Sequence, residues 1–170
     1  MTLEIRRIRA NEHDSVGELL VNSYAHNGYL TKADGDFDEE YAAMLRASAQ
    51  RDAEAELWLA VEDGRVLGCV TWCPVGSPYR ELAVEDSQGE FRGLAVDPDF
   101  RGRGAGHALV EFCLGRALDD GFDEVVLCSL PEMKPAHRLY ESLGFSRRPE
   151  MDWSPFESVL LWAFSVRLAR

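Results

Sequence analysis

The stretch Leu94-Ala95-Val96-Asp97-Pro98-Asp99-Phe100-Arg101-Gly102-Arg103-Gly104-Ala105-Gly106 limits the fold more than any other part of the chain. A strand-forming run, Phe91 to Val96, passes through a tight loop into a helical pattern predicted over Gly104 to Leu118, with Leu109, Phe112 and Cys113 on its buried face. Glycines at 102, 104 and 106 let the backbone approach a ligand closely. They also leave amide hydrogens at a helix N-terminus, where the macrodipole favours an anion. Arg101 and Arg103 add direct positive charge. The segment therefore reads as a phosphate cradle, the plainer alternative being a glycine turn with no ligand.

Spacing separates the phosphate-binding loops such a segment could belong to. A Walker loop ends in Gly-Lys-Ser/Thr, but the only lysines are Lys32 and Lys134. A dinucleotide fingerprint starting at Gly102 and Gly104 needs a glycine at 107, where the chain has His107.

The remaining pattern is a strand over Leu3 to Ile8, then a helix started by a capping box at Ser15 and Glu18. A second helix follows from about Asp38, with Tyr41, Met44, Leu45 and Ser48 at helical spacing. Leu57 to Val61 and Val66 to Cys73 form a hairpin through Asp63-Gly64. Pro74 to Gly89 breaks all periodicity, and loops of that length are often functional. A strand over Glu124 to Cys128 and a helix entered at Pro135 and capped by Gly144 come next, and two closing strands start at Phe145 and Ser158. Strand, two helices, three strands, helix, strand, helix and two strands predict an α/β fold, a mixed sheet with helices on its faces.

At 170 residues the chain is expected to be a single domain spanning 1–170. Its formal charge of -12 disfavours nucleic acid and anionic membranes and would draw a cationic small molecule or a basic peptide end. Glu4, Arg6 and Arg7 interrupt the start before a signal-peptide core could build, so a cytoplasmic protein is expected. Cys69, Cys73, Cys113 and Cys128, and His13, His26, His107 and His137, lack metal-ligand spacing, so no metal is expected and the thiols read as reduced packing groups.

The cradle closely resembles the acetyl-CoA-binding signature of the GCN5-related N-acetyltransferases, Arg/Gln-x-x-Gly-x-Gly/Ala, matched by Arg101, Gly104 and Gly106. Leu94-Ala95-Val96-Asp97-Pro98 resembles that family's preceding strand, and Ala136-His137-Arg138-Leu139-Tyr140-Glu141-Ser142-Leu143-Gly144-Phe145 resembles a later segment. The resemblance implies a mostly antiparallel sheet splayed at the cofactor site, acetyl-CoA as cosubstrate, and transfer of its acetyl group to an amine of a small molecule or peptide. It also implies that Leu94, Ala95, Val96 and the loop Arg101, Gly102, Arg103, Gly104, Ala105 and Gly106 hold the cofactor. A homodimer is common in the family, and the aromatic-rich final strand offers an interface. The competing reading is a non-catalytic acyl-CoA-binding sensor, because a fold does not guarantee an activity.

Thioester-to-amine transfer needs a neutral nucleophile, a stabilised oxyanion and a proton for the departing thiolate. By resemblance, an amide of Leu94 or Val96 polarises the carbonyl, and Tyr140 lies near the CoA sulfur as general acid. The alternative for Tyr140 is packing with Ala136, Leu139 and Leu143. Glu90 is the favoured base, acting through a water, against the alternative that it is merely surface-exposed. Glu81, Glu85 and Asp86 lie in the loop before it. Acceptor recognition is assigned by resemblance to the early helices and nearby loops, which carry Tyr24, His26, Asn27, Tyr29, Asp34, Asp36 and Tyr79.

Overall fold

The computed structural model describes residues 2–157 and 159–169 of the chain; Ser158, the expected start of the last strand, lies outside them. Two units are distinguished, Met1–Trp72 with Gly93–Val110 and Cys73–Arg92 with Glu111–Arg170.

In the first unit, β1 (Glu4–Arg7) leads to α1 (His13–His26), α2 (Glu39–Arg46) and α3 (Ser48–Glu54). Helix α1 starts two residues before the expected Ser15. Glu12 precedes it without a side-chain cap bond to the helix: its Oε2 accepts from the Arg9 amide at 2.8 Å across the 3-10 turn Ala10–Glu12, while Arg6 grips the same carboxylate at 2.7 and 3.0 Å. Ser15 Oγ donates to the Glu12 carbonyl, and Glu18 pairs with Arg46 at 2.7 Å. Helix α2 starts next to Asp38 as expected, and the Asp38 carboxylate caps it, accepting from the Tyr41 amide at 3.0 Å. The helical pattern reaching Ser48 is in fact broken at Ala47. Helix α3 follows, and its Arg51 guanidinium donates to the Met44 and Leu45 carbonyls at the end of α2.

Strands β2 (Glu56–Glu62) and β3 (Arg65–Cys73) form the expected hairpin, with Asp63 and Gly64 at φ of 49° and 76°, and β1 pairs antiparallel with β2. The Gly93–Val96 end of β4 (Gln88–Val96) runs against β3 in the opposite direction. Cys69 Sγ contacts the Gly93 carbonyl at 3.9 Å, and the Asp97 amide donates to the Leu67 carbonyl at 2.8 Å. Backbone groups alternate between the two edges of a strand, so those of Leu94 and Val96 turn away from β3. Gly93 has φ +64°, a left-handed conformation inside a strand of the kind that produces a bulge. Helix α4 (Ala105–Asp119) follows the glycine loop.

In the second unit, the first part of β4 pairs parallel with β5 (Glu124–Ser129), from Gln88–Glu124 to Glu90–Val126. That register ends there, while β5 continues to Ser129. Helix α5 (Lys134–Ser142) is entered through Pro135, and Gly144 follows it at φ +93°. Strands β6 (Ser146–Arg147), β7 (Trp153–Phe156) and β8 (Val159–Arg167) complete the unit in the order β4-β5-β8-β6, with β7 also on β8. The Asp152-Trp153-Ser154-Pro155 segment leads into β7. The expected mixed α/β fold is present, the parallel β4–β5 pair standing among antiparallel neighbours. Strand β8 is paired with β5 along one edge and with β6 and β7 along the other.

Candidate active site

The Asp97 carboxylate accepts from the Asp99 amide at 3.0 Å and starts the turn that leaves β4. Gly102 and Gly104 then adopt φ of +78° and +82°, and a β-carbon placed on either would meet no atom within 4 Å. The glycines are thus required by backbone conformation and face open space. Helical bonding begins with Ala108 donating to the Gly104 carbonyl at 2.9 Å, so the amides of Ala105, Gly106 and His107 precede it at the positive end of α4. Ala105 and Leu109 are buried and anchor that end; Arg101 to Gly104 are exposed.

Both loop arginines have partners in their own unit. Arg101 donates to the Asn27 side-chain oxygen at 3.1 Å, and Asn27 in turn donates to the Ser23 carbonyl. Arg103 pairs with Glu62 at 2.8 Å and lies over the Phe100 ring at 5.4 Å, which Arg65 also covers at 4.5 Å. Of the early-helix candidates, Tyr24 is buried between Tyr29 and Tyr41, Asp34 is spent on the Asp36 amide, and His26 is exposed.

The second unit holds the other candidates. Glu90 is completely buried, which corrects the surface alternative: its position in the strand turns it inward under the loop that precedes it. One carboxylate oxygen accepts from the Leu82 and Ala83 amides, both at 2.8 Å. The other is buried with no hydrogen-bond partner. Burial pushes the Glu90 pKa up, against the Ala83 amide, the Arg92 charge and the Leu82 amide. Glu85 and Asp86 are exposed, whereas Glu81 pairs with Arg92 at 2.9 Å. Tyr140 is 5% exposed, its ring among Phe91, Phe145 and Phe164 at 6.1, 5.8 and 6.0 Å.

Two features here escape sequence reasoning. Arg92 lies two residues beyond Glu90, with its side chain only 21% exposed; the same-face spacing was the available signal. His137 is buried with Nε2 3.1 Å from Ser129 Oγ and its ring stacked on Trp162, and burial holds its pKa below the usual histidine value. Cys69, Cys73 and Cys113 are buried and Cys128 partly so; burial raises all four thiol pKa values, Cys69 to about 11, which leaves them poor nucleophiles. Among the described residues, no three His, Cys, Asp or Glu side chains gather as metal ligands, and no helix is long and apolar enough to cross a membrane.

A model of the acetyltransferase (GNAT) family matches residues 18–145. N-acetylaspartate synthetase of Danio rerio is 37% identical over 133 residues, covering 74% of this chain and 43% of that protein. Mycothiol acetyltransferase of Thermomonospora curvata is 36% identical over 121 residues, covering 68% of this chain and 38% of that protein. The chain thus spans less than half the length of these two curated relatives. The crystal structure of PaiA N-acetyltransferase from Thermoplasma acidophilum in complex with coenzyme A superposes with a TM-score of 0.75 at 13% identity, covering 99% of this chain and 100% of that one, a likeness of fold.

Proposed function

The chain belongs to the acetyltransferase (GNAT) family, and on that premise we propose that it transfers the acetyl group of acetyl-CoA to an amine of a small molecule or peptide by direct attack in a ternary complex. The observation that carries this reading is the loop at Gly102 and Gly104, two left-handed glycines facing open space ahead of the first turn of α4.

The residues present fit acetyl-CoA. Gly102, Gly104, Ala105 and Gly106 offer backbone amides to the diphosphate, and Arg101 and Arg103 offer charge once they leave Asn27 and Glu62. The backbone groups of Leu94 and Val96, turned away from β3, suit the amide-bearing pantetheine arm, with Ala95 buried between them. When bound, acetyl-CoA supplies an activated thioester.

The chain's own groups then divide the remaining work. Glu90 takes the proton of the ammonium form through a water, a role supported by its unpartnered, buried oxygen and raised pKa. The amide of Leu94 or Val96 polarises the thioester carbonyl. Tyr140 donates a proton to the departing thiolate, whose basicity is close to that of a phenol. Cytoplasmic residence and a single catalytic domain belong to the same reading. A homodimer through β8 would use the stretch around Leu160, which is 48% exposed and lies before the Trp162–Arg167 run that pairs with β5.

The test is release of free CoA thiol from acetyl-CoA across a panel of amines, native protein against Tyr140→Phe. Acceptor-dependent release supports the transferase. Acetyl-CoA binding with no amine-dependent release favours the sensor, and no binding removes both readings.

A further inference from the structure

We propose that the acceptor amine also bears a carboxylate, and that Arg92 reads it by exchanging the Glu81 carboxylate for that of the substrate. The inference rests on the acetyltransferase reading and narrows its substrate class to amino acids.

Glu90 and Arg92 leave β4 two residues apart and therefore on one face. Both are electrostatic neighbours of Cys73 and Cys128 in the same unit, so they share one environment. Strand β4 has lost its β5 partner beyond Glu90, so Arg92 follows the last paired residue. Its side chain is 21% exposed, and Nη1 donates to the Tyr79 carbonyl at 3.2 Å and to Glu81 Oε1 at 2.9 Å. Glu81 stands on the long loop with 40% of its side chain exposed. An ion pair with so solvated a partner contributes little, whereas sheltering a guanidinium from water is costly.

The pair therefore looks like a resting arrangement, in which the loop's own carboxylate satisfies a cation meant for another. A guanidinium binds a carboxylate through two parallel N–H donors, and a ligand in the sheltered position gains more from that fork than Glu81 does. The neighbouring groups complete the complement. Trp153 Nε1 is a buried donor facing only the weakly accepting Cys128 thiol, and Glu90 Oε2 is a buried acceptor without a hydrogen-bond partner. Donors for a carboxylate and an acceptor for an ammonium, side by side, match an amino acid. A polyamine would set a second cation against Arg92.

The test measures acetyl-CoA-dependent acetylation of the natural α-amino acids against their decarboxylated amines, with the native protein, Arg92→Met and Glu81→Gln. In the native protein the preferred amino acid exceeds its decarboxylated amine in kcat/KM by on the order of 100-fold, the strength of a charge-assisted pair. Arg92→Met collapses that ratio, chiefly through KM for the amino acid. Glu81→Gln, a surface change that keeps the fold, lowers the same KM several-fold by removing the internal competitor. Equal use of the decarboxylated amines, a ratio unmoved in Arg92→Met, or a KM unmoved in Glu81→Gln overturns the inference and leaves the transferase standing. If neither series is acetylated while acetyl-CoA binds, the transferase reading falls and this inference with it.

Discussion

Gly68 and Ala95 approach so closely that a β-carbon on the glycine would stand 2.7 Å from the alanine carbonyl oxygen, and that oxygen belongs to backbone that cannot swing aside. Gly68→Ala must therefore push β3 and the end of β4 apart. It is expected to destabilise the protein by about 1–3 kcal/mol, measured by denaturant unfolding, and to weaken acetyl-CoA binding because Leu94 and Val96 flank the displaced residue.

Gly104 tests the cradle without a packing clash. A methyl group there meets no protein atom, so the stability loss is confined to the left-handed backbone, about 1–2 kcal/mol. The same methyl stands in the open space beside the glycine loop, where the proposed diphosphate would lie. Gly104→Ala should weaken acetyl-CoA by at least about tenfold in a calorimetric titration. Undiminished affinity would return the loop to a turn without a ligand.

Tyr140→Phe keeps the ring among Phe91, Phe145 and Phe164 and removes only the hydroxyl. If the hydroxyl is the general acid, turnover falls by about 10²-fold while the KM for acetyl-CoA holds. An unchanged rate would show that Tyr140 contributes packing alone.

Glu90 couples activity to pH. Its folded-state pKa lies above the ordinary carboxylate value, so the folded protein binds this proton more tightly than the unfolded chain does. Its contribution to stability is complete at pH below the unfolded pKa and is lost as pH rises through the folded one. Activity runs the other way, because the base must be ionised. Glu90→Gln should reduce kcat/KM by about 10²-fold, flatten the acid limb of the pH–rate profile, and lack the wild type's loss of unfolding free energy with rising pH. A variant that keeps the wild-type acid limb would exclude Glu90 as the base.

The cradle was legible in the sequence because its chemistry is local. Gly102 and Gly104 must be glycine for backbone reasons, and Asp63-Gly64 and Asp38 announce a turn and a helix start from equally local chemistry. Helix α3 was not, since its seven residues carry no apolar period and Arg51 ties it to α2 through main-chain carbonyls. Glu90 and Arg92 were half legible. Strand alternation puts both on one face but cannot say that the loop around Leu82 and Ala83 folds over that face and supplies amides to a buried carboxylate. Trp153 carries no strand signal in the sequence because Pro155 follows so soon, whereas pairing with Leu161 makes it a strand residue.

The four sheltered thiols have a practical consequence for the bench. A colorimetric thiol reagent added to the native protein should find almost no reactive sulfur, since Cys69, Cys73 and Cys113 are buried and the ionisation of every cysteine is suppressed. Coenzyme A released during turnover can then be followed continuously against a flat background. Any slow rise in signal without substrate reports the protein opening, so one reagent serves as both activity meter and clock of unfolding.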